Sequence, residues 1–535
     1  MNVPLTLDRV MRHAQSVYAK TEVVSLMSET TVHRYTFGDA FRRVARLANV
    51  LSRLGIDPGD RIGTIAFNDY RHFELYYGIS CSGYVCHTIN PRLFDDQISY
   101  IINDASDQYV FVDPSFVPTL ERIADQLLSV KGFVVLCDLE SMPASTLPNL
   151  MCYESLLEVE PEVFNWPVLS DENLACALCY TSGTTGDPKG VLYSHRSVVL
   201  HSYAVTMPDV AGLSSRTVAM PLVPMYHVNA WGMPYACAMV GTKIVFPGSY
   251  SGDARLLTDL INQEQVTVSL GVPTVFQSLL TFLQVSGGSV PSLEKVQIGG
   301  APCPLALSQA FEAFGVWVTV GWGMTETSPL GATNCVLQGN DSKEIYDARR
   351  TKAGRPVFGV EMKIIDELGK ELPKDGSASG ALYVRGPWVA SRYFGGEETP
   401  DTDDNEWFDT GDVATIDAEG FMNITDRVKD LIKSGGEWIS SQEIEREAQD
   451  HPAITAAAVV GIAHPKWGER PLLLAVRVSG ADVEEAEVLK SLEGKIARWW
   501  IPDECVFLDK LPLTSIGKLN KKLLREQFSK HVLSD

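Results

Sequence analysis

Short, wholly apolar runs alternating with amphipathic helical segments constrain the fold of this chain more than any other feature. The runs "RIGTIAFN" (61–68), "GFVVLCD" (132–138), "KIVFPG" (243–248) and "VTVSLGVP" (266–273) read as buried strands. "TFGDAFRRVARLANVLSRLG" (36–55) reads as an amphipathic helix closed by Gly55. Strands apolar on both faces must be covered on both faces, which calls for largely parallel sheets flanked by helices. From about 367 to 407 the pattern changes to turns and short strands, with "LGKELPKDGSASG" and "GGEETPDTDDNEW" as exposed loops. A fresh α+β set follows: helix "SSQEIEREAQDH" (440–451), strands "AAAVVGIA" (456–463) and "PLLLAVRV" (471–478), and helix "VEEAEVLKSLEGKIARWW" (483–500). A chain of 535 residues, 45% hydrophobic, exceeds one ordinary core. The predicted class is therefore α/β: a large N-terminal domain (1–428) of stacked α/β subdomains plus a β-rich subdomain, and a small α+β C-terminal domain (429–535).

Lys and Arg number 45 against 67 Asp and Glu, a net charge of −22. That sign excludes a surface that coats nucleic acid or anionic lipid, so a polyanionic ligand must be met by local N–H groups, a few cations or a metal ion. The opening "MNVPLTLDRVMRHAQ" has no basic segment leading into an apolar one, and no run approaches the roughly 20 apolar residues of a spanning helix. A cytoplasmic protein is expected. Cys176 and Cys179 form a C-x-x-C, but "LACALCY" is an apolar run with no second such pair, so they read as packed thiols in a strand rather than a zinc or redox site.

The loop "YTSGTTGDPKG" (180–190) suits neither helix nor strand interior. Its glycines free backbone N–H groups to face oxygens, and its hydroxyls add donors. The Walker spacing fails here, because Gly183 is followed five positions later by Pro188 and Lys189 by Gly190. The dinucleotide fingerprint fails in "GWGMTE" (321–326), where Glu326 replaces the third glycine. Phosphate is expected in the loop by another scheme.

The ordered set "YTSGTTGDPKG", "PMYHVNAWG" (224–232), "GGAPCP" (299–304), "GWGMTETSP" (321–329), "WFDTGD" (407–412), "DRVKDLIKSGGEWIS" (426–440) and "SIGKLNKKLLRE" (515–526) spans almost the whole chain. It resembles the adenylate-forming superfamily of acyl-CoA synthetases, adenylation domains and luciferases. Within it, "YHVNAWG" with "SGGEWIS" is most similar to the fatty acyl-CoA synthetase branch that takes short- and medium-chain acids and 3-methylmercaptopropionate. Long-chain and aryl-acid ligases share these motifs. A peptide-synthetase adenylation domain is disfavoured, because His227 stands where an acidic partner for an amino group is expected. A degenerate nucleotide-binding module is disfavoured because Glu326, Asp412 and Lys518 are all present.

The resemblance implies ATP, Mg2+ and coenzyme A. A carboxylate is a poor acyl donor, so it is first joined to the α-phosphate of ATP, and catalysis is mostly positioning and charge neutralisation. Thr181, Ser182, Gly183, Thr184 and Thr185, with Lys189, would hold the β- and γ-phosphates. Gly300, Ala301 and Pro302 on one side and Trp322, Gly323 and Met324 on the other would bracket adenine. Thr325 would meet the α-phosphate, and Glu326 with Thr181 would bind Mg2+. Asp412 would accept from the ribose hydroxyls, assisted by Arg427; Lys518 would bridge the acid and the α-phosphate. Lys429 matches the hinge of a mobile C-terminal domain, and Lys433, Gly435, Gly436, Glu437 and Trp438 would line the CoA channel. His227 and Trp231, four apart, are expected to share one side of a helical turn and, with Gly300, to wall the acyl tunnel. Lys521 and Lys522 read as a solvated face. A homodimer is expected.

Overall fold

The computed structural model describes residues 2–181, 187–335, 342–396, 407–435, 437–478, 480–513 and 519–533. They form two compact units, the first from 2–181, 188–361 and 385–396, the second from 187, 362–384 and the described residues from 407 on. No described helix is long and apolar enough to cross a membrane.

The first unit is built on two mixed sheets. In the seven-stranded sheet, Leu150–Cys152, Gly132–Val135, Tyr109–Val112, Arg61–Ile65, Val85–Thr88 and Ala175–Tyr180 run parallel in that order, and Gly190–Ser194 closes the edge antiparallel. In the nine-stranded sheet the parallel core is Trp317–Gly323, Lys295–Gly299, Val268–Gly271, Val218–Pro221, Lys243–Phe246 and Glu22–Ser28, with antiparallel strands added at both edges. All four runs read as strands from the sequence are strands, each buried over most of its length.

Helix Phe37–Arg53 begins at a capping box in which Thr36 Oγ1 accepts from Asp39 N and Asp39 Oδ2 accepts from Thr36 N. Its buried stripe of Phe37, Phe41, Val44, Leu47 and Leu51 packs on helix Tyr70–Cys81. Only glycine fits at 78, where a Cβ would lie 2.4 Å from Leu47 Cδ2.

One carboxamide joins the two sheets. Asn68, 3% exposed, follows the strand Arg61–Ile65 of the seven-stranded sheet. Its Nδ2 donates to Pro221 O (3.1 Å) and Val223 O (2.8 Å), and its Oδ1 accepts from Met225 N (2.6 Å), all at the end of a strand of the nine-stranded sheet.

In the second unit Glu361–Ile365, Ser379–Arg385, Phe408–Ile416 and Met422–Arg427 form a four-stranded sheet. A five-stranded sheet follows, centred on Ile454–His464 and Gly468–Arg477. Helix Ser441–Gln449 binds the first sheet through Ser440 Oγ to Thr425 O and Ser441 Oγ to Asp426 Oδ2. Lys429 and the 428/429 division therefore lie inside this unit. The helix expected over 483–500 is shorter, Glu485–Ser491. Gly494 at φ +77° turns the chain, and only the single turn Arg498–Trp500 follows.

Two predictions follow from this packing. Asn68→Ala orphans three buried partners and is expected to destabilise the first unit by about 2–5 kcal/mol in urea unfolding, and Asn68→Asp at least as much, because it sets a buried carboxylate against two carbonyl oxygens that need a donor. Burial also holds the rings of His72, His195 and His201 neutral, pushing their pKa values down to about 4, 4 and 3. The folded unit thus binds fewer protons than the unfolded chain below the ordinary imidazole value of about 6.5. Stability is full above that pH and falls toward pH 4, by up to about 1.4 kcal/mol per pH unit for each histidine. Urea midpoints measured from pH 7 to pH 5 check this. His195→Asn keeps an acceptor for Leu7 N, which His195 Nδ1 serves at 3.2 Å, and should flatten the slope.

Candidate active site

Ligands of parallel sheets bind beyond the carboxyl ends of the strands, and most of the quoted motifs of the first unit lie there. "GGAPCP" leaves the strand Lys295–Gly299, "GWGMTE" ends Trp317–Gly323, and "PMYHVNAWG" follows Val218–Pro221. The glycine-rich loop joins Ala175–Tyr180 to Gly190–Ser194, and its base is pinned by Thr181 N to Lys189 O (2.9 Å) and Lys189 N to Thr181 Oγ1 (3.0 Å). Cys176 and Cys179 lie buried in the first of these strands.

The segment bearing His227 and Trp231 departs from expectation. Val228, Asn229, Ala230 and Trp231 have φ of 46°, 54°, 49° and 54°, followed by Gly232 at 74°, so Val228–Trp231 winds left-handed rather than as an ordinary helical turn. The turn is left-handed where an ordinary right-handed one was expected, and His227 enters it in an extended conformation (φ −124°, ψ 112°). Four L-residues in this region cost roughly 4–8 kcal/mol, and tertiary contacts hold them there. Asn229 is 3% exposed, and its Oδ1 accepts from Thr88 Oγ1 (3.4 Å) and Cys179 Sγ (3.5 Å). Burial pushes the Cys179 thiol up to about 11, so it stays an S–H donor. The Tyr76 hydroxyl donates to Met225 O, and that of Tyr77 to Pro234 O (3.1 Å).

The turn sets the half-buried Trp231 indole against the end of the strand Lys295–Gly299. A Cβ at Gly299 would lie 2.9 Å from Trp231 Cη2 and 2.9 Å from Gly321 O, so glycine there leaves room for the ring. Neither Asn229 nor Gly299 was singled out in the sequence, since their roles depend on Thr88 and Cys179 and on Trp231, each 50 or more residues away.

Gly300 follows at φ +79°, and Ala301 and Pro302 are exposed beside it. Across the strand pair, Trp322 is half-buried and Gly323 exposed. Any side chain at 323 would strike Pro329 O, 1.7 Å from an added Cβ. The single turn Thr325–Thr327 is fixed by Tyr193 Oη donating to Thr325 O (2.7 Å) and by Met324 N donating to Thr327 Oγ1 (2.9 Å). Glu326 is 5% exposed, and its Oε1 accepts from Tyr393 Oη at 2.7 Å. Glu326 and Thr181 supply hard oxygen donors, a set that fits Mg2+, which keeps several waters and substrate phosphates as its other ligands.

The second unit brings together Asp412 and Arg427. They face each other on adjacent antiparallel strands with Arg427 Nε 2.6 Å from Asp412 Oδ1. Lys429 follows in a turn closed by Asp430 N and Leu431 N, both donating to Arg427 O. "KSGGEW" is a two-residue hairpin, with Ser434 opposite Glu437 and Gly435 at φ +62°, a value that favours glycine. Gly435 N donates to Trp467 O (2.7 Å), and Lys433 Nζ lies 4.1 Å from the Trp438 ring centroid. Lys521 is corrected from a solvated residue to a buried one. It is 9% exposed, with Nζ 2.8 Å from Glu445 Oε1 and donating to Ser441 Oγ (2.7 Å), which itself donates to Asp426. Ser182, Gly183, Thr184, Thr185, Gly436 and Lys518, with the Glu437 side chain, lie outside the described residues.

The family model for AMP-binding enzymes matches residues 11–394, and that for the AMP-binding enzyme C-terminal domain matches 443–518. The chain is 49% identical to a 3-methylmercaptopropionyl-CoA ligase of Ruegeria lacuscaerulensis, over 99% of this chain and 98% of that protein. It is 45% identical to a medium-chain-fatty-acid–CoA ligase of Ectopseudomonas oleovorans, over 99% and 97%. Among solved structures, an anthranilate CoA ligase in complex with anthranoyl-AMP superposes with a TM-score of 0.85 at 25% identity, covering 98% of both chains. With the glycine-rich loop, the strand-end motifs and the Asp412–Arg427 pair all in this chain, it belongs to the AMP-binding enzymes, in their acyl-CoA ligase branch.

Proposed function

We propose that this ligase activates 3-methylmercaptopropionate or a straight-chain acid of similar length. The carboxylate oxygen attacks the α-phosphorus of ATP and pyrophosphate leaves. The CoA sulfur then attacks the acyl carbon and AMP leaves. The observation that carries the acid assignment is the Trp231 indole, wedged by a left-handed turn against Gly299 at the strand ends. A bulky, apolar, rigidly held wall favours a short apolar guest. The relatives named for 3-methylmercaptopropionate and medium-chain acids point the same way.

The site residues take the roles that the resemblance implies. Residues 181–185 and Lys189 hold the β- and γ-phosphates, Thr325 the α-phosphate, and Asp412 with Arg427 the ribose. Gly300 to Pro302 and Trp322 to Met324 flank adenine, while His227, Trp231 and Gly300 border the acyl group. Glu326 and Thr181 would hold Mg2+, which when bound neutralises phosphate charge. Lys518 bridges acid and phosphate in the first half-reaction. A hinge at Lys429, where the domain division at 428/429 falls, lets the "KSGGEW" hairpin guide CoA in the second. Val428 and Lys429 are exposed, whereas Asp430 is held by Arg525, so a change of dihedrals at the hinge would be taken up at 428–429. All ten cysteines are free thiols, which supports a reducing compartment such as the cytoplasm. Assembly as a homodimer belongs to the same proposal and is read by sedimentation.

Measuring kcat/KM over a series of acids tests the substrate. An apolar wall separates whole methylenes by about 1–3 kcal/mol and near-isosteres by less. 3-Methylmercaptopropionate and pentanoate should therefore fall within roughly tenfold of each other, about 1.4 kcal/mol. Acetate should be poor, and Trp231→Ala should harm short acids most. Preference for palmitate would move the enzyme to the long-chain group, and preference for benzoate or an amino acid would overturn the reading. Lys518→Ala should lower acyl-adenylate formation by about 10²-fold or more while sparing thioester formation from supplied acyl-adenylate. Equal loss in both halves would refute the division of roles.

A further inference from the structure

The irregular segment 388–394 lies outside every motif quoted above, yet it straps the metal-side turn to the phosphate loop. At one end Ser328 Oγ donates to Trp388 O (2.6 Å), Trp388 Nε1 to Leu330 O (2.9 Å) and Ala390 N to Glu326 O (2.7 Å). At the other, Phe394 N donates to Gly190 O (2.7 Å), the residue directly after Lys189. Between these anchors stands Tyr393. Its hydroxyl donates to Glu326 Oε1 at 2.7 Å, and its ring lies under Lys189, with Nζ 4.6 Å from the centroid.

We propose that Tyr393 is a positioning residue for metal-bound nucleotide, orienting the Glu326 carboxylate and stationing the Lys189 ammonium at once. This rests on the proposed function, in which Glu326 meets Mg2+ and Lys189 meets phosphate. A carboxylate only 5% exposed needs a donor. A cationic donor would spend its charge, whereas a phenol satisfies one oxygen and leaves the full negative charge for a divalent ion. The ring face attracts Lys189 through its quadrupole without neutralising it, so the ammonium stays available to a phosphate. One neutral side chain thereby serves two opposite charges and holds both at the same end of the sheets.

The test is equilibrium binding of a non-hydrolysable ATP analogue to the full-length protein, in excess Mg2+ and in EDTA. Tyr393→Phe, which keeps the ring, should lose about tenfold in affinity with Mg2+, the worth of one hydrogen bond to a charged group. It should lose nothing in EDTA, where a general loss of fold would weaken binding as much as it does with Mg2+. Tyr393→Leu should lose affinity in both conditions, because Lys189 also loses its seat. Glu326→Gln should abolish the Mg2+ enhancement, and adding Tyr393→Phe to it should cost nothing more. In turnover, Tyr393→Phe should raise KM for Mg2+–ATP about tenfold while thioester formation from supplied acyl-adenylate is unchanged. Equal losses for Tyr393→Phe with and without Mg2+, no loss at all, or an additive loss in the double variant would overturn the inference. Full Mg2+ enhancement in Glu326→Gln would instead overturn the metal role of Glu326, and with it the reading on which the inference rests.

Discussion

The carboxamide of Asn68 is the joint on which the first unit depends. Two largely parallel sheets, each with its own core, have no inherent reason to meet at one angle, because apolar contact is non-directional. Three hydrogen bonds from one buried side chain, with those of Thr88 and Cys179 to Asn229, restrict that freedom, and Asn68 fixes where the chain leaves the strand Val218–Pro221. Everything from Pro224 to Gly232 is laid down from that point. The cooperative setting matters, since an unsatisfied amide in a dry interior is costly, so the alternatives to this alignment are penalised more than the alignment itself is rewarded.

The molecule handles polyanions with a net charge of −22. Long-range attraction is absent, but ions screen exposed charges beyond about 8 Å, so the surface charge scarcely reaches the site. In the proposed reading local groups decide instead: a glycine-rich loop, a few cations, and carboxylates with a divalent ion. The same economy appears in the second unit, where Arg427 stands against the buried Asp412 across two strands and Lys521 is enclosed with Glu445.

Much of this was legible in the sequence because it is local. The strands near residues 61, 132, 243 and 268 announce themselves by apolar composition, and the helix from Phe37 by its capping residues and periodicity. The site motifs are legible for a different reason: chemistry demands glycine, hydroxyl and carboxylate in short runs. What escaped is non-local. Four-residue spacing in "HVNAWG" implies a right-handed turn, and the opposite hand arises from Asn229 reaching Thr88 and Cys179, 141 and 50 positions away. Lys521 sits among lysines, yet Glu445 and Ser441, more than 70 residues earlier, draw it inside. Tyr393 occupies an irregular segment, so no periodicity marks it; only its partners Glu326 and Lys189 do.

The left-handed turn at Val228–Trp231 also bears on how such a protein changes over generations. Each of its residues occupies a backbone well that L-amino acids avoid, so the folded chain carries strain beside the indole proposed to wall the acyl group. A glycine at 228, 229 or 230 would relieve strain and at the same time let the indole wander. Selection for heat resistance and selection for a narrow diet of acids would then act on the same few codons in opposite directions. A lineage that keeps β-branched or bulky residues there has kept discrimination ahead of robustness.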